Sequence, residues 1–345
     1  MASAPEHYAQ LLQAFAERTH SLLALDQLGQ VLRQSQRERL DQLPLPGGGA
    51  TLQRWRTLAE MAGFDLALVK LFEGHTDALA ILSELGAAAL AGDGLWAVWA
   101  AEPPQARVTI TGRARAGERV QLQGRKAWCS GARQVDQALI TAWDEQQRPQ
   151  LVAVVLAQPG VQVTGQGWQA VGMAPTASVE VLFDGAHGQL VGDPGQYLAR
   201  PGFWHGGAGV AACWYGAAVT AGEYLRGHCV QRRDDPHADA HLGAVDAHLG
   251  AARAALQACA QWLDAHPVAD ARLPVQRLRA IVEHSVEGVL NHVGRALGAT
   301  PFCRQARFAR LFADLPVFIR QSHAERDLAG LGQLLCEQPS PEWSL

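Results

Sequence analysis

The sequence predicts an α+β protein in three parts: an N-terminal helical domain (1–94), a central antiparallel β-barrel or sandwich (95–196) and a C-terminal four-helix bundle (197–345). Two patterns support this prediction. Apolar residues recur at helical spacing on both sides of a central stretch, and inside that stretch they alternate with a period of two. The length of 345 residues also exceeds what one small domain needs and fits two or three.

The first part is predicted to be helical from residue 5 to about residue 92. Tyr8, Leu11 and Phe15 recur near helical spacing. The Pro-Leu-Pro-Gly-Gly-Gly run at 44–49 interrupts this pattern and indicates a loop. Helical periodicity then resumes and ends at Gly92.

The central part is predicted to hold short strands. Apolar residues alternate with mostly polar ones, and Gly and Pro turn signals separate the segments. The predicted strands lie near 108–112, 120–124, 138–142, 151–156, 161–163 and 179–183, with a turn at Asp184-Gly185 after the last. Because no helical pattern lies between the strands, an antiparallel barrel or sandwich is favoured over a parallel sheet.

The third part contains four long amphipathic segments, which predict a bundle. They cover 208–230, 244–266, 274–297 and 308–335, and we expect a kink or an interruption of the last segment at Pro316. Bundles of this type pair through flat helical faces, so we expect a homodimer or homotetramer.

The bulk composition excludes several classes of partner. The formal net charge is −4 and 18% of the residues are charged, so no general attraction to nucleic acid or to an anionic membrane is expected. The first twelve residues lack the pattern of an export signal. The uncharged stretch 201–222 is rich in Gly and Ala and contains His205, which favours a buried helix over a membrane span.

The six cysteines are widely spaced and form no Cys-x-x-Cys motif. Reduced thiols in a cytoplasmic protein are the simplest explanation. His237 and His241 have the spacing of a helical metal pair, but Ala238 stands where a metalloprotease motif needs glutamate. We therefore predict no metal site.

The residues 128–130 are the first that indicate a chemistry. They place the indole of Trp128 two positions before the hydroxyl of Ser130, with Cys129 between them. An indole can cover the face of a flat, electron-poor ring, and a hydroxyl can hydrogen-bond a heteroatom at its edge. The alternative is that Trp128 is a core residue of a strand and that Ser130 belongs to a turn.

Several motifs together resemble the flavin-dependent acyl-CoA dehydrogenases. Residues 101–103, Ala-Glu-Pro, resemble the family's Thr-Glu-Pro, and residues 124–130 resemble its Gly-x-Lys-x-Trp-Ile-Thr. Residues 179–184 resemble its strand ending in Phe-x-Asp, and residues 297–299 resemble its Gly-Gly turn. The shared order of these motifs extends the resemblance over most of residues 55–335.

The resemblance implies bound FAD. Trp128 would pack on the isoalloxazine and Ser130 would hydrogen-bond its N5/O4 edge. The other cofactor-binding candidates that it implies are Cys129, Glu102 and Gly298, together with Arg233, which follows Arg232 where a neighbouring subunit's arginine would reach the pyrophosphate. Guanidinium suits that contact, although two arginines at a helix end also complement the helix dipole.

The resemblance fails at the catalytic base. In the family a glutamate removes the α-proton of an acyl thioester, and the aligned positions 320–322 here are Arg, Gln and Ser, none of them a base at neutral pH. His205, His323 and Glu325 are the candidate substitutes. Each has a structural alternative: His205 as a helix-start residue, His323 as a core or dimer contact, and Glu325 as a partner of Arg326.

The resemblance therefore implies an FAD-dependent oxidoreductase that α,β-dehydrogenates an acyl thioester on coenzyme A or a carrier protein. An electron-transfer partner or oxygen would accept the electrons. Two alternatives stay open. A two-component flavin monooxygenase of the same fold needs no α-proton base and often carries a histidine near the final helix. His323 lies in that region of this sequence. A paralogue without catalytic activity would serve as a binding partner.

Overall fold

The computed structural model describes residues 25–112, 115–232, 234–340 and 343–344. The chain forms two compact units, each built from two separate stretches. Unit 1 comprises Met1–Leu43 and Ala67–Phe203, and unit 2 comprises Pro44–Leu66 and Trp204–Leu345. The helix predicted around Tyr8, Leu11 and Phe15 lies outside the described residues. The three-domain division with boundaries after residues 94 and 196 stays a prediction.

The helices and strands follow the predicted order of helices, strands and helices. The first helices and the strands are α1 (Leu25–Arg37), α2 (Thr51–Phe64), α3 (Leu66–Glu84), β1 (Trp96–Trp99), β2 (Val108–Thr111), β3 (Arg119–Cys129), β4 (Gln137–Trp143), β5 (Pro149–Val155), β6 (Val161–Val163) and β7 (Val179–Val191). The later helices are α4 (Gln196–Ala199), α5 (Gly202–Gln231), α6 (Pro236–Ala265), α7 (Arg272–Leu297), α8 (Ala299–Arg304), α9 (Ala306–Phe318) and α10 (Glu325–Glu337).

Five strands of unit 1 close into a small barrel. The hydrogen-bonded ring runs β4–β2–β3–β7–β5 and returns to β4. Most pairs are antiparallel, but β1 and β2 both pair with β4 in parallel, at Trp96↔Gln137 and Thr109↔Trp143. The predicted barrel is thus correct in outline, whereas its purely antiparallel character is wrong. The reason is that β4 gives one edge to β5 and divides the other between β1 and β2.

The last strand is longer than the sequence pattern predicts. The expected turn at Asp184-Gly185 lies inside β7, where Gln123 pairs with Asp184 and the preceding Leu122 pairs with Ala186. Gly185 has a φ of +70° and is the extra residue of this β-bulge. A glycine with positive φ serves a bulge as well as a turn, which explains why the sequence pattern indicated a strand end here.

Helix α3 packs on the barrel within unit 1. Ile81 and Leu82 of this helix belong to one buried cluster with Trp96, Leu139 and Leu151 of the strands. Apolar residues of α3 and of the buried strands β4 and β5 thus meet in one core. This core holds the barrel in place.

Unit 2 is organised around the long helix α5. Most of its small residues are buried, as expected for the uncharged stretch 201–222. The carbonyl oxygen of Ala59 in α2 approaches so closely that a Cβ added at Gly216 would lie 2.0 Å from it. None of the helices in the described ranges combines the length and apolarity that crossing a bilayer requires.

The interruption expected at Pro316 occurs two residues later. Helix α9 continues through Pro316 to Phe318, and a short 3₁₀ turn, Ile319–Gln321, follows. Ser322 is extended, and α10 begins at Glu325. Pro316 removes one amide donor from α9 but does not end the helix. The interruption therefore follows Phe318, the last residue of α9.

Candidate functional site

Trp128 lies at the end of β3 with 52% of its surface exposed. Its φ of +55° is unusual for a residue with a large side chain and marks local backbone strain. The neighbouring Cys129 is fully buried beside Val179, and burial raises the pKa of its thiol. The indole therefore faces outward from the barrel, while Cys129 packs inside as a neutral thiol.

Ser130 begins a chain of three hydroxyl groups. Its Oγ lies 2.7 Å from Ser178 Oγ, which lies 2.9 Å from Thr176 Oγ1. The hydroxyl of Thr176 donates to the carbonyl oxygen of Met173 at 2.7 Å. Ser178 and Thr176 were not among the sequence candidates, because their nearness to Ser130 depends on the pairing of β3 with β7.

The segment that supplies these hydroxyls is held in a strained conformation. Met173 and Ala177 flank a short 3₁₀ turn with φ values of +56° and +41°. The Gly131 amide donates to Thr176 O at 2.8 Å, and the Trp99 indole donates to Ser130 O at 3.1 Å. Such strain persists only where the surroundings over-determine it, and it clusters at functional positions.

Glu102 takes part in an ion pair of the barrel. Its carboxylate accepts from Lys126 Nζ, from Thr141 Oγ1 and, at 3.0 Å, from Trp143 Nε1. The Lys126 side chain is 0% exposed, and its ammonium also donates to Thr141 O at 2.9 Å. Partial burial works to raise the pKa of Glu102, but the hydrogen bonds from Lys126, Thr141 and Trp143 outweigh it and lower that pKa. The described contacts of Glu102 are therefore those of a structural residue of the barrel.

Unit 2 contains a polar groove at the end of α5, with a volume of about 540 Å³. Its lining includes Arg232, His228, Thr300 and Gln305. Guanidinium, imidazole, hydroxyl and amide groups are donors that suit phosphate oxygens. The neighbouring candidate Arg233 lies outside the described residues.

Gly298 joins α7 to α8 next to this groove. It has a φ of +60°, and the preceding Leu297 is one of the lining residues. A Cβ at Gly298 would meet no atom within 4 Å, so the backbone conformation and not crowding favours glycine here. The turn predicted at 297–299 is present.

His205 is buried near the start of α5, with 2% exposure. The loop at 44–49 covers its ring: a Cβ added at Gly47 would lie 2.8 Å from ring atoms Cε1 and Nδ1. The described structure therefore gives His205 the surroundings of a core residue.

His323 lies in the break between α9 and α10, with its side chain 63% exposed. Its Nδ1 lies 3.3 Å from Asp327 Oδ1, and its amide donates to Asp327 Oδ2 at 3.0 Å. Asp327 was not among the sequence candidates, although the spacing of four residues could have indicated it. Glu325 is exposed at the first position of α10.

His237 and His241 do not form a pair with each other. His241 Nδ1 lies 2.9 Å from His292 Nδ1 on α7. Over the described ranges, no three His, Cys, Asp or Glu side chains are arranged to hold a metal ion. All six cysteines lie in those ranges, and each is a free cysteine.

No protein-family model matches the sequence, and no curated protein matches it. Solved structures match over nearly the whole chain. TdsC from Paenibacillus sp. A11-2, a dibenzothiophene monooxygenase solved with FMN and indole, has a TM-score of 0.80 at 21% identity and covers 99% of this chain and 98% of its own.

Two further structures match to a similar degree. Methanesulfinate monooxygenase MsuC from Pseudomonas fluorescens has a TM-score of 0.80 at 18% identity and covers 100% of this chain and 99% of its own. A nitrososynthase from Micromonospora carbonacea var. africana has a TM-score of 0.79 at 18% identity and covers 97% of each chain. The protein therefore has the acyl-CoA dehydrogenase-like fold of these structures, with a small β-barrel and a helical C-terminal region.

Proposed function

We propose that this protein is a flavin-dependent monooxygenase that uses reduced FMN and oxygen to oxygenate a small organic substrate. One observation favours this reaction over α,β-dehydrogenation of an acyl thioester. In the dehydrogenases that this sequence resembles, the catalytic glutamate aligns with residues 320–322, and these residues supply no base here. The neighbouring side chain is the exposed His323, whose Nδ1 contacts Asp327 Oδ1. Oxygen transfer needs no α-proton base, so the missing glutamate is no obstacle to it.

The proposal replaces FAD by FMN and the acyl thioester by a smaller substrate. Among the solved structures with this fold, TdsC contains FMN. The names of TdsC and MsuC give small substrates, dibenzothiophene and methanesulfinate. A homodimer or homotetramer remains part of the proposal, and light scattering of the purified protein measures it.

Each unit contains residues that suit a part of a flavin nucleotide. In unit 1 the half-exposed indole of Trp128 offers a flat apolar face, and Ser130 offers a hydroxyl two residues later. In unit 2 the groove at Arg232 offers donors for phosphate. When bound, reduced flavin supplies the electrons that activate oxygen, and the protein supplies binding, orientation and protection from water.

The decisive experiment supplies the purified protein with FMN reduced by a separate flavin reductase and NADH, under ¹⁸O₂. The substrate panel contains indole, dibenzothiophene and methanesulfinate, and mass spectrometry detects ¹⁸O in the product. Incorporation that requires the protein supports the proposal. A yellow protein that is bleached anaerobically by acyl-CoA would instead establish the dehydrogenase, and a protein that binds no flavin would be the inactive paralogue.

Trp128→Ala is expected to weaken binding of reduced FMN by about tenfold, since aromatic contact contributes about 0.5–1.5 kcal/mol beyond the area buried. Anaerobic fluorescence titration measures the Kd. Trp128→Phe keeps a flat ring and should retain most of the affinity. Trp343, which is 75% exposed, provides the matched control in Trp343→Ala. Equal affinities of the Trp128→Ala variant and the control would contradict the role of this indole.

His323→Gln is expected to lower the rate of oxygenated product formation by about a hundredfold, because positioned acid–base groups typically contribute at least that factor. In the proposed arrangement Nδ1–H donates to Asp327, which leaves Nε2 to hold or release a proton. Asp327→Asn should lower the rate less, since it weakens the contact that orients the imidazole of His323 but keeps the imidazole itself. Glu325→Gln is the matched control, and a larger loss there than in His323→Gln would transfer the role to Glu325.

A further inference from the structure

We propose that the hydroxyl chain Ser130–Ser178–Thr176 fixes Ser130 as a hydrogen-bond acceptor and so makes the barrel prefer reduced over oxidised flavin. The inference rests on the proposed function and deepens it, because it states which redox form of the cofactor the protein selects. Ser178 and Thr176 would be positioning residues that act through Ser130.

Counting protons determines the direction of the chain. Each hydroxyl group can donate one hydrogen bond. The proton of Thr176 is committed to Met173 O, which can only accept. The contact between Thr176 and Ser178 therefore needs the proton of Ser178, and the contact between Ser178 and Ser130 needs the proton of Ser130. Three contacts use three protons in this one arrangement.

Burial keeps that arrangement in place. Thr176 is 1% exposed and Ser178 is 4% exposed, so water does not compete for their hydroxyls. Reversing the bond between Ser178 and Ser130 would leave two oxygen lone pairs facing each other 2.9 Å apart, between Ser178 and Thr176. An unpaired polar contact of this type is costly away from water. The backbone strain at Met173 and Ala177 shows that this segment is held at some cost.

The consequence for the flavin follows from its N5 position. Reduced flavin carries a hydrogen at N5 and is a donor there, whereas oxidised flavin has only a lone pair. With its own proton committed to Ser178, Ser130 can only accept from a ligand placed at its exposed side. It therefore matches reduced N5–H and opposes oxidised N5. A protein that receives reduced flavin from a separate reductase would benefit from this selection.

Two variants release the proton of Ser130. Ser178→Ala removes its acceptor, and Thr176→Val allows the hydroxyl of Ser178 to turn and donate to Ser130. In both, Ser130 can donate to oxidised N5, and the ratio of the Kd for oxidised FMN to that for reduced FMN should fall by about tenfold, as expected for one hydrogen bond gained or lost. The midpoint potential of bound FMN should fall by about 30 mV, the equivalent of tenfold for two electrons.

Thr164→Val is the matched control, because the hydroxyl of Thr164 also donates to a backbone carbonyl, that of Glu180 at 2.7 Å, without a link to Ser130. Thr176→Ser keeps the donor and should restore the ratio. Anaerobic titrations with oxidised and with photoreduced FMN measure both Kd values, and thermal unfolding verifies that each variant folds.

The outcomes separate the two proposals. If the parent protein binds neither form of FMN, the proposed function fails. If the parent prefers reduced FMN and both Ser178→Ala and Thr176→Val leave the Kd ratio unchanged, the function stands and the hydroxyl chain does not select the redox form. A fall in the ratio for both variants, with no change in Thr164→Val, supports the inference.

Discussion

Glu102→Leu is expected to destabilise the protein by about 3–5 kcal/mol, because it leaves the buried ammonium of Lys126 without its carboxylate. The remaining partner of that ammonium would be Thr141, which carries no charge. Burial already lowers the pKa of Lys126, against the effect of Glu102. Urea unfolding monitored by tryptophan fluorescence measures the change in the free energy of unfolding.

Two controls test the cause of this loss. The double variant Glu102→Leu/Lys126→Met removes both charges and should recover most of the stability, since an apolar pair can replace a buried ion pair at little cost. Glu223→Gln breaks the exposed pair with Arg226 and should cost less than about 1 kcal/mol. If Glu102→Leu costs no more than Glu223→Gln, the pair at Lys126 does not stabilise the barrel.

The pH dependence of stability has a definite sign at this pair. The pKa of Glu102 lies below its ordinary value of 4.5 in the folded protein. Its contribution is therefore complete above the unfolded pKa and is lost as the pH falls through the folded pKa. We expect the decline in stability below about pH 4.5 to be shallower in Glu102→Leu than in the parent protein.

Gly216→Ala is expected to cost about 3 kcal/mol, at the upper end of the range for overpacked cores. The added Cβ would lie 2.0 Å from the carbonyl oxygen of Ala59, a backbone atom that no rotamer change can move away. Helices α5 and α2 would have to separate, and the buried residues around them would lose contacts. Urea unfolding measures this loss as well.

Gly227→Ala is the matched control in the same helix. A Cβ at Gly227 would meet no atom within 4 Å, and alanine has the higher helix propensity. We expect Gly227→Ala to stabilise the protein by about 0.5–1 kcal/mol. Opposite signs for the two substitutions would establish the close helix contact, whereas a gain in stability for Gly216→Ala would refute it.

The sequence predicts the element order of this fold well, because periodicity is a local property. Alternation identified strands such as β2 and β3, and helical spacing identified α6 and α7. The alternation of residues within one strand does not indicate which other strand it pairs with. The parallel pairing of β1 with β4, and the bulge that carries β7 past Gly185, depend on strands far away in the chain.

Candidate site residues were predictable to a different degree. Trp128 and Ser130 are two residues apart, so a single short motif indicated both. Ser178 reaches Ser130 only because β3 and β7 pair, and these strands are far apart in the chain. Asp327, by contrast, follows His323 by four residues, a spacing that the sequence itself contains. Glu102 became a candidate through its resemblance to a family motif, and His205 as a substitute for the missing base. The ion pair of Glu102 with Lys126 and the loop that covers His205 at Gly47 are visible only in three dimensions.

The origin of unit 2 in two stretches of chain has a consequence for biosynthesis. Residues 44–66 leave the ribosome early, yet the helix α5 that packs on them is made after the whole barrel. Until α5 has been made, the face of α2 that packs on it at Ala59 lacks this native partner. A chain truncated after residue 203 should therefore be cleaved by protease within 44–66, whereas the barrel, whose last strand ends at Val191, should resist.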